Sequence, residues 1–139
     1  MEKTKILIVE DESIIALEIH ESLLKLDYEV TAVINNGPGA IKNFEENQAD
    51  LILMDIHLRG DMDGIEAAKI IQSVHPVPII FLTAFSNKKV LDRAKRTAPY
   101  GYLLKPFKTE ELKVAIEMAL YIFGLETERK QALNDSVPL

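Results

Sequence analysis

The sequence predicts an α/β fold, a doubly wound five-stranded parallel sheet flanked by five helices. Five short apolar runs of strand length recur along the chain, at Ile6 to Val9, Val30 to Ile34, Leu51 to Met54, Pro78 to Leu82 and Tyr102 to Leu104, and helical patterns separate them. Two of these runs, Leu51 to Met54 and Ile79 to Leu82, are apolar at consecutive positions, as expected of central strands covered by helices on both faces. Polar residues follow four of the five runs, and in a parallel sheet those strand ends share one edge.

The helices follow in order. Ile15, Ile19, Leu23 and Leu26 repeat at helical spacing and predict a first helix from about Ser13 to Leu26, with Ser13 able to cap its first turn. A second begins near Gly37, where Asn36 can cap and Pro38 suits a first turn that has no use for its missing N–H. A third follows Gly64, with Ala67, Ala68, Ile71 and Val74 as its buried stripe, and a more polar fourth spans roughly Asn87 to Thr97. Thr109 is placed to cap the fifth, and Glu110 and Glu111 stand where the helix dipole favours acids. The stripe Leu112, Ile116, Ala119 and Phe123 continues to about Leu133, a span of ~37 Å at ~1.5 Å per residue, longer than a small sheet can cover. The excess fits a polar tail, a linker helix to a further domain, or part of a dimer seam.

With 139 residues the chain is sized for one domain. Its 22 acids against 16 basic residues give a net charge of −6, which disfavours direct binding to nucleic acid or anionic membranes. Cysteine is absent, which excludes disulfides and thiolate metal sites, and neither a signal peptide nor a membrane span is visible. A soluble cytoplasmic protein is expected.

The chemistry collects at the strand ends. Glu10 and Asp11 follow the first strand, Asp55 the third, Thr83 the fourth and Lys105 the fifth. Ligands of open parallel sheets bind outside the carboxyl ends of the strands, where the strand order reverses. Three carboxylates gathered there repel one another by roughly 4 kcal/mol per pair at ~4 Å and an effective dielectric of ~20, before relief by solvent or protonation. A hard divalent cation relieves that repulsion, and a site of one or two carboxylates completed by water suits Mg²⁺. Asp55 is then placed to attack phosphorus and form an aspartyl phosphate, with Lys105 as a fixed positive charge and Thr83 as a hydroxyl donor once its loop swings inward.

These residues sit in the segments LIVEDE, LILMDI, MDG, PIIFLTA and GYLLKPF, which together resemble the receiver domain of two-component response regulators over about residues 4 to 124. The resemblance implies a flavodoxin-like sheet of order 2-1-3-4-5, a receiver domain over residues 1–124 and a C-terminal helix extension or linker over 125–139. It implies Asp55 as phosphoacceptor, Asp11 as a direct Mg²⁺ ligand, Glu10 as a second acid acting through water, and the His57 backbone carbonyl as a further ligand. Thr83, Ala84 and Lys105 match the phosphate-sensing positions, and Tyr102 matches the aromatic that turns inward as Thr83 moves. The expected partners are a histidine kinase as phosphodonor and an output domain or downstream protein on the face of the fourth helix, fifth strand and fifth helix, with homodimerisation also open. The domain is then a signalling switch, limited to self-phosphorylation from a donor and autodephosphorylation.

Three positions depart from the family pattern. Glu10 stands where Asp is common. The loop from Asp55 to Gly64 is one residue longer than the usual form and carries Gly60 in place of a familiar Pro. Phe85 puts a bulky apolar side chain two residues after Thr83, from which slow autodephosphorylation is expected. Two other readings stay beside the switch: a receiver module cut from a larger hybrid sensor kinase, and a phosphatase of the haloacid-dehalogenase type. The latter needs a second acid two residues beyond its nucleophile, where this chain has His57.

Overall fold

A computed structural model describes residues 2–84 and 87–136. The elements alternate as β1 (Lys5–Val9), α1 (Ser13–Lys25), β2 (Glu29–Ile34), α2 (Gly37–Glu46), β3 (Leu51–Asp55), α3 (Gly64–Val74), β4 (Ile79–Thr83), α4 (Lys88–Lys95), β5 (Gly101–Leu104) and α5 (Thr109–Ser136). The five strands form one sheet of order β2-β1-β3-β4-β5, parallel throughout, with Ile6 beside Leu51, Asp55 beside Leu82 and Thr83 beside Leu104. Each expected strand lies within one residue of its observed bounds, because runs that are apolar on both faces have few alternatives to a doubly covered sheet.

Strand alternation divides the core in two. Ile6, Ile8, Leu51, Leu53, Ile80 and Leu82 pack with Ile19 and Leu23 of α1 and with Leu112, Ile116 and Ala119 of α5. Their neighbours Leu7, Val9, Ile52, Met54, Ile79 and Phe81 pack on the other face with residues of α2, α3 and α4, among them Phe44, Ile71 and Ala94. Each fully buried Leu or Ile contributes roughly 1.5–3 kcal/mol relative to exposure, so the central strands β1, β3 and β4 are held from both sides, while the edge strands β2 and β5 are only partly covered.

The helix boundaries follow the sequence closely, and the exceptions lie at the ends. Asn36 caps α2 as expected, its Oδ1 accepting from the Gly39 amide at 2.7 Å. Asn87 likewise caps α4, accepting from the Lys89 amide at 2.9 Å. Ser13 does not cap α1: Glu12 holds that position without a side-chain cap bond, and Ser13 already lies in the helix. Thr109 does not cap α5 either. The Glu111 carboxylate accepts from the Lys108 amide at 3.1 Å, while the Thr109 hydroxyl pairs with that of Ser22 at 3.0 Å and joins α5 to α1. Val74 is 69% exposed rather than buried, because it occupies the last turn of α3 just before the chain leaves for β4, and Ile65 completes the buried stripe instead. Phe85 and the expectation placed on it lie outside the described residues.

Candidate functional site

The strand order reverses between β1 and β3: from β1 the chain goes to one neighbour, β2, and then returns to the other side. Glu10, Asp11 and Asp55 stand at that crevice. Asp55 closes β3 at 3% exposure, and Glu10 is buried as the first residue beyond β1. The Glu10 amide is bonded to the Ile34 carbonyl at 2.9 Å and the Ile56 amide to that of Leu82 at 3.0 Å, so the backbone beside each acid is tied to an adjacent strand.

Lys105 comes in from the end of β5, its amide bonded to the Thr83 carbonyl at 2.8 Å. Its ammonium lies 2.5 Å from Glu10 Oε1 and 3.2 Å from Asp55 Oδ2, with only 11% of the side chain exposed. The peptide bond that follows, Lys105–Pro106, is cis. Two backbone amides complete the cage: that of His57 donates to Asp55 Oδ1 at 3.2 Å and that of Glu12 to Glu10 Oε2 at 3.2 Å. The far side of Asp55 is closed by Gly64, where a Cβ atom would stand 2.0 Å from the Asp55 carbonyl oxygen, so only glycine fits.

Charge in this cage is tightly balanced. Burial, followed by the hydrogen bond and the negative charge of Glu10, raises the Asp55 carboxyl from its ordinary 3.8 to about 7, and Lys105 only partly offsets this. Burial also opposes ionisation of Glu10, but its bonds to Asp55, Lys105 and the Glu12 amide prevail and hold it below its ordinary value. Lys105 is disfavoured as a cation by burial, yet its two carboxylate partners raise it. Near neutrality Asp55 is therefore poised between its two protonation states.

Glu10, Asp11 and Asp55 can each present one carboxylate oxygen within 4.8 Å of the others, an all-oxygen set that could hold a metal ion. The unrelieved charge at Asp55 fits a group of that kind, since a divalent cation would remove the repulsion that burial intensifies. Thr83 is buried beside this cluster, and its hydroxyl acts on the half-buried Tyr102 phenol, partly offsetting the upward push of burial on that group. Ala84 is exposed and lines, with Lys105, Phe107 and the Glu12 to Ser22 side of α1, an open cleft of about 660 Å³. His57 is exposed and meets Asp55 through its amide.

Four of the predicted residues, Glu10, Asp11, Asp55 and Lys105, thus converge directly, while Thr83 and Tyr102 form a second linked pair. Arg59, whose Nε lies 3.7 Å from Asp11 Oδ2, joins the site without belonging to any of its motifs. The only signal for it was the lengthened loop that carries it.

Comparison with known proteins agrees with this geometry. The family model of the response regulator receiver domain matches residues 6–117. The chain is 37% identical over 119 residues to the transcriptional regulatory protein PdtaR of Mycobacterium tuberculosis, covering 86% of this chain and 58% of that protein. The signal receiver domain of a modulated diguanylate cyclase from Desulfovibrio desulfuricans superposes with a TM-score of 0.86 at 37% identity, covering 90% of this chain and 99% of that one. The receiver domain of a sensor histidine kinase from Pseudomonas aeruginosa, described with a magnesium ion coordinated in its active site cleft, superposes with a TM-score of 0.78 at 31% identity, covering 86% and 98%. The protein belongs to the response regulator receiver domain family of two-component systems. It spans little more than half the length of the mycobacterial regulator, and no helix among the described residues is long and apolar enough to cross a membrane.

Proposed function

We propose that this receiver domain is a phosphorylation switch in which Asp55 accepts a phosphoryl group from a histidine kinase. The observation that carries the proposal is the surrounding of Asp55: a nearly buried carboxylate at the sheet's switch point, with Lys105 at 3.2 Å and the acids Glu10 and Asp11 alongside. A carboxylate oxygen of Asp55 attacks phosphorus, a new P–O bond forms, and the bond to the donor atom breaks with its electron pair leaving on the donor. Lys105 balances charge on the phosphoryl oxygens in a setting where water is largely excluded. Thr83 provides a hydroxyl to the same oxygens when its loop closes, moving away from the Tyr102 phenol beside it. Glu10, Asp11, Asp55 and the carbonyl of His57 would hold Mg²⁺, which supplies charge neutralisation at the attacked phosphorus. The magnesium-bearing site of the Pseudomonas relative supports that reading.

The state of Asp55 is read on the face formed by α4, β5 and α5, which the Thr83–Tyr102 pair adjoins. An output domain or downstream protein docks there, in the cytoplasm, and residues 125–139 serve as an extension or linker, in keeping with the continuous run of α5 to Ser136. A place inside a larger hybrid sensor kinase is the second reading, favoured by the structural match to a receiver taken from a sensor kinase.

Incubation with acetyl phosphate followed by intact-mass measurement tests the switch. The expected result is one Mg²⁺-dependent phosphoryl addition in the wild type and none in Asp55→Asn. No addition to the wild type would leave a constitutive binding module on the same fold. Tyr102→Ala should retain the addition while losing phosphorylation-dependent partner binding.

A further inference from the structure

We infer that Arg59 is the phosphodonor-capturing residue of the site, a solvent-exposed cation that joins Lys105 in meeting the phosphoryl oxygens. The inference rests on the phosphoacceptor reading above. Arg59 lies on the loop between β3 and α3, with 82% of its side chain exposed, and its Nε reaches to 3.7 Å from Asp11 Oδ2. That separation makes a loose ion pair with most of the guanidinium turned to solvent, unlike the short, enclosed contacts of Lys105.

The backbone under Arg59 is nevertheless fixed. Leu58 is buried immediately before it, and Gly60 turns the chain immediately after it with a φ of 95° that a side chain would strain. Further along, Met62 packs against the core and lies close to Gly37 at the start of α2, and the Gly64 amide closes the loop on the Ile56 carbonyl at 2.8 Å. The loop therefore delivers a flexible cation to a set place at the mouth of the acidic cluster.

Its charge decides what it does there. Lys105 pairs with Glu10 and Asp55, and Asp11 has only the loose contact with Arg59, so the enclosed acids outnumber the enclosed cation and repel an anionic donor. A divalent cation held by Glu10, Asp11 and Asp55 would bring that balance close to neutral and compete with Arg59 for the Asp11 carboxylate. The long contact between Arg59 and Asp11 would be the first to yield, leaving the guanidinium to turn to the donor. Its paired N–H groups match two phosphoryl oxygens, a geometry that lysine lacks.

The test uses the whole chain with acetyl phosphate and Mg²⁺, comparing wild type, Arg59→Ala and Arg59→Lys. Intact mass follows the initial rate over a range of donor concentrations, and calorimetry measures Mg²⁺ binding separately. Arg59→Ala should raise the half-saturating donor concentration about fivefold with little change in the maximal rate, and Arg59→Lys should recover part of the loss. Mg²⁺ affinity should be equal or slightly higher without Arg59, since a competing cation has gone. Identical donor dependence in Arg59→Ala and wild type would make Arg59 an ordinary solvated arginine and overturn the inference. A rate loss matched by weaker Mg²⁺ binding would also overturn it, by showing that Arg59 acts through Asp11. If the wild type itself takes up no phosphoryl group, the phosphoacceptor reading fails and this inference fails with it.

Discussion

Replacing Asp55 by Asn should stabilise the metal-free protein, and by an amount that depends on pH. Asp55 is 3% exposed and its carboxyl is raised from an ordinary 3.8 to about 7, with burial the leading cause and Glu10 the next. A group whose folded value lies above its unfolded one binds more protons in the native state between those two values. Stability from this source is fully present below pH ~4 and is lost as pH rises towards about 7. At ~1.36 kcal/mol per pH unit the interval amounts to a loss of about 4 kcal/mol above pH 7. Part of this is shared with Glu10, and Asn forfeits the contact to Lys105, so Asp55→Asn should gain about 1–3 kcal/mol at pH 8 and almost nothing at pH 4.5. Urea unfolding followed by far-ultraviolet circular dichroism in a chelating buffer, from pH 4.5 to 8.5, measures the difference directly. Added Mg²⁺ at about ten times its Kd should then stabilise the wild type by ~1.4 kcal/mol and leave the variant unmoved. A variant that is less stable at pH 8, or a difference that does not change with pH, would refute the account of the cage as a place where burial first and Glu10 second oppose the charge on Asp55.

Two further outcomes follow from the backbone around the site. Gly64→Ala forces a methyl group to within 2.0 Å of the Asp55 carbonyl oxygen, and should cost about 2–3 kcal/mol in urea unfolding and displace the carboxylate enough to abolish phosphoryl uptake. Asn36→Ala removes the cap of α2 and should cost about 1 kcal/mol, whereas Ser13→Ala, at a residue that makes no cap bond, should stay within ~0.5 kcal/mol of wild type.

The legible parts of this chain were those in which chemistry and periodicity coincide. Leu51 to Met54 and Ile79 to Leu82 read as doubly covered strands because no exposed face is available to them, and the sheet follows from that. The convergence of Glu10, Asp11, Asp55 and Lys105 was visible because strand ends in a parallel sheet share an edge. Caps were less secure. Ser13 and Thr109 have the right side chains one residue into their helices, and the choice between neighbouring residues is settled by tertiary contacts such as the Thr109–Ser22 bond. The short bond from Lys105 to Glu10, the cis peptide that follows it, and the reach of Arg59 to Asp11 depend on how loops cross the top of the sheet, which no local pattern specifies.

The last helix has a mechanical consequence. Its core contacts end at Leu120, after which Phe123 packs T-shaped against the Tyr100 ring at 5.7 Å and Glu126 accepts a hydrogen bond from the Tyr100 hydroxyl. Tyr100 leads directly into β5, so this clasp fastens the helix to the strand that carries Tyr102. The helical stretch from Thr127 to Ser136 projects about 15 Å beyond it, so a tilt of ~10° about the clasp sweeps the tip by ~2.5 Å. A pivot of α5 at Tyr100 would carry a small adjustment of β5 to the helix end as a displacement comparable to half a helical turn.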